Sequence, residues 1–286
     1  MQKKKLGYIQ LGYKPSLLRY LLSKFVKFLH KVLFLNFNSA YSNEFFQQTN
    51  LVYKLNFDNR VIFFKTGHNR LLWRAKSFFS EEPLMIEWLK TFNSKDIFLD
   101  IGANVGTYTI PALSKKAKVY ACELDPRNCS IIVENVFLNN FFDNFYLFPF
   151  GFSDFNSFQD IFYRDFSVGD ALQSISRPSI IPSVVSNKKF SSKQILFSLD
   201  YIFKEFKLEQ PNKIKIDVDG NEKQVFEGGK NTILNCQELY YEDNNLQETN
   251  YILEIIKKNN FVKINESYTN NALRSLKMRN ILFKKK

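Results

Sequence analysis

Metal-ligating and disulfide-forming residues are scarce in this chain of 286 residues. The cysteines number three, Cys122, Cys129 and Cys236, an odd count with no C-x-x-C pair. Neither a zinc site nor a disulfide framework is indicated, and the thiols read as reduced core residues of a cytoplasmic chain. Histidine occurs only twice, as His30 and His68, which leaves little room for imidazole chemistry. No apolar run reaches the length needed to cross a bilayer. Residues 17–35 come nearest, but Arg19, Lys24, Lys27, His30 and Lys31 interrupt them. They also lack the unbroken apolar stretch and small-residue cleavage site of a secretory signal. No internal repeat is visible.

Acid is missing altogether before Glu44, whereas Lys3, Lys4, Lys5, Lys14, Arg19, Lys24, Lys27 and Lys31 all precede it. The net charge is +12, from 40 basic and 28 acidic residues. With those eight bases set aside, 32 basic residues face 28 acidic ones. The body of the protein is therefore no strongly basic nucleic-acid clamp. Hydrophobic residues make up 45% of the chain and phenylalanine alone counts 31, ample material for a buried core. The length suits one large domain with an extension.

The spacing of Leu18, Leu22, Phe25, Leu29 and Val32 predicts an amphipathic helix over residues 17–35, with Lys24, Lys27 and Lys31 roughly opposite. One reading packs its apolar side on the rest of the protein. A second lays it on an anionic membrane surface, and a third makes it a nucleic-acid arm. Alternation around Asp58-Asn59 predicts a hairpin over 51–65, and a helix follows at 81–91 with Pro83 near its start. From residue 96 strands and helices alternate. Strands are predicted at 97–101, 119–123, 145–152, 214–218, 238–241, 261–264 and 281–284, and helices at 105–115, 126–139, 221–234 and 249–259. Asp125-Pro126 is a good helix start. Residues 154–195 are polar and Ser-rich, with Pro178 and Pro182, and read as an insertion or lid. The pattern is α/β, a mainly parallel sheet with helices on both faces. It divides into an extension (1–45), a cap or substrate region (46–95) and a sheet domain (96–286).

Three local motifs carry chemistry. In Asp100-Ile101-Gly102-Ala103-Asn104-Val105-Gly106 an apolar strand feeds a turn with two glycines and then a helix. The glycines permit a sharp turn and close approach to a ligand. A helix start offers unpaired N–H groups, suited to a carboxylate such as that on the methionine part of S-adenosyl-L-methionine (SAM). The spacing is not the G-x-G-x-x-G of dinucleotide enzymes. Glu123 ends the next strand, where an acid can accept hydrogen bonds from both hydroxyls of a ribose. Lys213-Ile214-Lys215-Ile216-Asp217-Val218-Asp219-Gly220-Asn221-Glu222 gathers acids where a buried strand ends. An EF-hand reading fails there, because Glu222 stands where the calcium loop needs glycine.

Together these residues resemble the FkbM family of SAM-dependent methyltransferases over roughly residues 50–286. The segments that carry the resemblance are FLDIGANVGTYT, YACELDPRN, FPFGFSD, SLDYIF, KIDVDGNEKQVFEGG, the upstream LLWRAKSFFSEEPLMIEWL and the closing RNILF. The resemblance implies a Rossmann-like class I methyltransferase sheet and SAM as cofactor, with transfer of its methyl group to an oxygen. It implies cofactor contacts from Asp100, Gly102, Asn104, Gly106, Glu123 and Asp217, with Ser153 and Asp154 by the adenine. Family members differ in acceptor, among natural products, sugars and lipids. Two departures stand out: Asp219 replaces the glutamate of many members, and Pro111 lies in the first helix.

The expected reaction is O-methylation of a sugar, a lipid-linked glycan or another small hydroxyl-bearing metabolite. A carboxylate is the expected base, Asp217 first and Glu222 second, with His68 a minor candidate. No residue is assigned as a metal ligand, although a Mg²⁺-assisted variant would draw on Asp217, Asp243 and Asn244. A nucleic-acid methyltransferase is the rival enzyme reading, and a non-catalytic scaffold on the SAM fold is the rival of another class. Against the first stand the near-neutral body and the absence of an Asn-Pro-Pro-aromatic motif. Against the second stands the intact set of loop, Glu123 and Asp217.

Overall fold

Pro83 interrupts what would otherwise be one long helix, and the interruption sets the geometry of the whole N-terminal part. In the computed structural model, residues 17–34, 51–163, 167–170, 174–175, 190–218, 220–243, 249–268 and 278–286 are described. Strands β1 (Val52–Phe57) and β2 (Arg60–Lys65) form the expected hairpin. Its two turn residues, Asp58 and Asn59, have φ of 46° and 61°. That is the double positive φ of a tight two-residue hairpin turn, which Asp and Asn tolerate better than most residues. Helix α1 spans Leu17–Phe34. Helix α2 (Asn69–Glu81) was not predicted, and α3 (Pro83–Lys90) follows it at once. Glu82 lies between them in non-helical geometry, φ −131° and ψ 73°, because proline disfavours the helical region for the residue before it.

The central sheet contains β3 (Ile97–Ile101), β4 (Lys118–Cys122), β5 (Phe145–Phe148), β10 (Lys213–Ile216), β11 (Glu238–Asp243), β12 (Phe261–Tyr268) and β13 (Arg279–Lys285). Its order is β12-β13-β11-β10-β3-β4-β5, and only β13 runs against the rest. The chain starts in the middle at β3, moves outward through β4 and β5, and returns to β10 beside β3. This is the expected Rossmann-like mixed sheet, with its switch point between β3 and β10, where open α/β sheets bind ligands. Helices α4 (Thr109–Ser114), α5 (Pro126–Asn139), α6 (Leu199–Glu205), α7 (Glu222–Gly228), α8 (Lys230–Leu234) and α9 (Thr249–Lys258) make the crossovers and flanks.

Side-chain alternation divides the core between the two faces. Phe98, Val119, Ala121 and Tyr240 pack on one face with Phe57, Ile62, Phe78 and Trp88 from the hairpin, α2 and α3. Leu99, Ile101, Tyr120, Ile214, Ile216 and Tyr241 pack on the other with residues of α6, α7 and α9.

Four expectations are corrected. The strand predicted at 145–152 breaks at Pro149, which can donate no ladder hydrogen bond. Its second part, β6 (Gly151–Phe152), leaves the central sheet to pair with β9 (Phe190–Phe197). The polar stretch 154–195 is in good part a second sheet, order β6-β9-β7-β8, where β7 is Ser157–Tyr163 and β8 is Ser174–Ile175; Pro178 and Pro182 lie outside the described residues. The helix predicted from Val105 begins at Thr109, with Pro111 in its first turn, where a missing N–H does no harm. Gly229 divides the helix predicted over 221–234 into α7 and α8. Along α1 the apolar side chains that are described stand in solvent. Leu17, Leu18, Leu21, Leu22, Phe25, Val26, Phe28 and Leu29 are all exposed.

Candidate active site at the switch point

The loop after β3 is held by backbone geometry before any ligand is considered. Gly102 and Gly106 have φ of 82° and 80°, and Asn104 between them has 52°. A Cβ on Gly102 would stand 1.8 Å from the backbone oxygen of Asp217. Glycine at 102 thus lets the β3 and β10 loops touch, a constraint internal to the protein. Gly106 meets only ordinary contacts, so there the positive φ is the reason for glycine.

Glu123, at the end of β4, is buried. Its Oε2 accepts from the Asn104 backbone N–H at 2.8 Å and its Oε1 from that of Asp125 at 2.7 Å. Burial outweighs these hydrogen bonds and pushes its carboxyl up to about 7. The Asn128 side chain also bonds to this carboxyl. Asn104 Nδ2 donates to the Asp170 carbonyl, while its Oδ1 is buried and accepts no hydrogen bond. The loop therefore presents an acceptor to a donor such as an α-ammonium group, and the residues fit SAM. Ser153 Oγ donates to Asp154 Oδ1 at 2.9 Å, just beyond β6. A Cβ on Gly228 of α7 would meet the Ser153 carbonyl at 1.9 Å, so this segment too is seated by a glycine.

Residues 167–170 lie over the loop. Gly169 N–H donates to Asn128 Oδ1 at 2.8 Å, and Arg74 Nε donates to the Gly169 carbonyl at 2.9 Å. Asp170 is buried in an ion pair with Arg70. A piece of the predicted insertion is thereby tied to α2 and to the cofactor loop together.

The second half of the site grows out of Lys-Ile-Lys-Ile. In β10 the two isoleucines enter one core, which places both lysines on the opposite face, under α3. The register puts Lys215 between Asp100 and Tyr240, and Lys213 between Phe98 and Glu238. Lys213 is answered by Glu238 in an ion pair. Lys215 is 1% exposed. It donates to Asp217 Oδ2 at 2.8 Å, has Asp100 Oδ1 at 3.7 Å, and stands 5.5 Å from the centre of the Tyr108 ring. Burial opposes its charge, but Asp217, Asp100 and Glu82 outweigh burial and hold the ammonium's pKa above its ordinary value.

Glu82 reaches this group from the α2–α3 joint. Its Oε2 accepts from the Tyr240 hydroxyl at 3.1 Å, and Tyr108 bonds to it as well. Burial first, and then the charge of Asp217, push it up to about 7 against the pull of Lys215 and the two tyrosines. Asp217 moves the other way. Burial raises it, but Lys215, a hydrogen bond with Glu242 and Lys215's own hydrogen bond leave it below the usual carboxylate range. Asp100 is fully buried, accepts from Thr109 Oγ1 at 2.7 Å, and is raised chiefly by burial.

Of the predicted site residues, the structure gathers Asp100, Gly102, Asn104, Glu123 and Asp217 at the C-terminal ends of β3, β4 and β10. Glu222 is buried and turns back to accept from the Gly220 N–H at 3.0 Å. His68 is exposed at the start of α2. Asp243 is engaged by Thr249 at 2.9 Å and by Arg279 at 2.6 Å; Asp219 and Asn244 lie outside the described residues. Among the described residues no group of three or more His, Cys, Asp or Glu is placed to hold a metal ion. Sequence reasoning missed Glu82, Lys215, Tyr108 and Tyr240. The signal for Lys215 was a lysine within a buried strand, which must find a counter-charge. Nothing local distinguished Glu82.

Residues 100–269 match the model of the methyltransferase FkbM domain. No curated protein matches the chain in sequence. Among solved structures, a methyltransferase FkbM from Methylobacillus flagellatus is 15% identical with a TM-score of 0.45, covering 76% of this chain and 54% of its own. A Streptococcus pneumoniae protein, described as a candidate tRNA methyltransferase and solved with SAM, is 15% identical with a TM-score of 0.43 and covers 71% of each chain. A precorrin-6y C5,15-methyltransferase from Geobacter metallireducens is 12% identical with a TM-score of 0.39, covering 72% of this chain and 88% of its own. These likenesses carry no information about the acceptor. With the family match extending from the end of β3 through β12 and enclosing the loop, Glu123 and Asp217, this chain belongs to the FkbM family of methyltransferases.

Proposed function

We propose that the chain methylates a hydroxyl oxygen of a sugar, a lipid-linked glycan or another small metabolite, with Glu82 taking the proton and Asp217 orienting the acceptor. Bound SAM would supply an electrophilic methyl on its sulfonium. Gly102, Asn104 and Gly106 would seat the methionine part, Glu123 the ribose, and Ser153 with Asp154 the adenine. Asp100 acts at one remove, through Thr109 and Lys215.

The observation that supports this reading is the meeting of Glu82, Asp217 and Lys215 beside the Gly102 turn. Methyl transfer to a hydroxyl is an in-line displacement that needs alignment and a place for one proton. A base works best when its pKa lies near the working pH. A carboxylate pushed up to about 7 meets that condition, whereas one held low by Lys215 keeps its charge and serves as a fixed acceptor. In this division of labour Glu222 shapes the loop ahead of α7.

The test is transfer of label from methyl-labelled SAM to a panel of monosaccharides, oligosaccharides, lipid-linked oligosaccharides and RNA. With the acceptor found, Glu82→Gln should lower kcat by about 10²-fold or more while SAM affinity stays near the wild-type value. Label entering RNA in place of the hydroxylated small molecules would overturn the acceptor class. Undiminished turnover in Glu82→Gln would remove Glu82 from the chemistry.

A further inference from the structure

Eight large apolar side chains of α1 are exposed, among them Leu17 at 74%, Leu18 at 73%, Phe25 at 57% and Phe28 at 62%. At 100° per residue Leu18, Leu22, Phe25 and Leu29 share one side with Leu17, Leu21 and Phe28. Position 27 falls opposite them, and positions 24 and 31 lie at the border of the apolar arc, all three lysine. The helix carries no acid, nor does any residue before Glu44. Among the described residues no helix is long and apolar enough to cross a membrane. An 18-residue helix of this kind has one apolar side to cover and one cationic side to neutralise.

We infer that α1 is a surface anchor that lies flat on an anionic lipid bilayer, its apolar side in the acyl boundary and its lysines among the headgroups. Such a surface answers both sides at once. A second copy of the chain would cover the apolar side but bring two acid-free cationic helices together, with no opposite charges to set their register. A nucleic acid would answer the lysines and leave the leucines and phenylalanines in water. The anchor would hold the methyltransferase at an interface and does not depend on the identity of its acceptor.

Co-sedimentation of the full chain with phosphatidylcholine vesicles, with and without about 30 mol% phosphatidylglycerol, tests this. Binding is expected on the anionic vesicles, weaker by about tenfold or more on the neutral ones. It should be lost in Leu18→Glu/Phe25→Glu and weakened in Lys24→Glu/Lys27→Glu, with the melting temperature of both variants unchanged. Sedimentation velocity without lipid gives the other arm. No binding to anionic vesicles, binding that survives Leu18→Glu/Phe25→Glu, or a lipid-free dimer that the same variant abolishes would each overturn the anchor.

Discussion

Two glycines of one turn do different physical work. In Gly102→Ala the new Cβ would collide with a backbone oxygen that cannot step aside, and φ is positive as well. Overpacking and strain each cost about 1–3 kcal/mol. Gly106→Ala has room and bears only the φ penalty, about 1 kcal/mol. Urea denaturation should therefore place Gly102→Ala well below Gly106→Ala in stability, and equal midpoints would refute the contact with Asp217. Glu123 and Glu82 make a second residue-scale prediction. Both are pushed up to about 7 in the folded chain, above the ordinary glutamate range. The folded state thus binds more protons than the unfolded one in this window. Their contribution to stability is complete below about pH 4.5 and is lost as pH rises through about 7. The denaturation midpoint of the ligand-free protein should fall between about pH 5 and 8, and Glu123→Gln should flatten part of the slope. Ribose hydroxyls donating to Glu123 would favour its ionised form, so SAM affinity should rise over the same interval in the wild type and not in the variant.

At the scale of elements, catalytic geometry depends on segments far apart in sequence. Glu82 reaches Lys215 because Pro83 forces a joint between α2 and α3, and Lys215 faces that joint because β10 alternates lysine with isoleucine. Residues 167–170 are pinned to the cofactor loop through Asn104, to α5 through Asn128 and to α2 through Arg70 and Arg74. Asp170→Asn removes the charge that pairs with Arg70. The cost is expected at roughly 1–3 kcal/mol, below that of breaking a fully buried pair, because the Arg70 side chain is still 20% exposed. Limited proteolysis around this segment should accelerate in the variant and SAM should bind several-fold more weakly. Unchanged cleavage and affinity would mean the segment is held without this pair. Helix α2 itself was within reach of sequence reasoning: Leu71, Ala75 and Phe78 are buried at helical spacing, but the exposed Phe79 blurs the stripe.

For the molecule as a whole, the described part of α1 contributes nothing to either core cluster. Removing residues 1–45 should leave the melting temperature and the SAM affinity unchanged, as calorimetry and thermal denaturation would measure. A fall of several degrees would show that this extension supports the fold. The hairpin, α2 and α3, by contrast, share one face of the sheet with α4 and α5, so a version starting at residue 96 would uncover Phe98 and Tyr240, on which Trp88 packs, and is expected to be insoluble.

The sequence alone determined the features whose causes are local. Asp58-Asn59 made a hairpin because those residues accept positive φ, Asp125-Pro126 began a helix, and the buried runs at 97–101 and 214–218 marked, to within two residues, the strands that meet at the switch point. The cofactor motifs were legible for the same reason, since a turn, a strand end and a helix start sit within a few residues of one another. Only the tertiary structure decided the rest. Pro149 sent the chain into a second sheet because a partner strand was available there. Asp217 keeps its charge because Lys215, two positions away, is buried beside it, while Glu82 is pushed up because burial and the charge of Asp217, more than a hundred positions away in sequence, act through space.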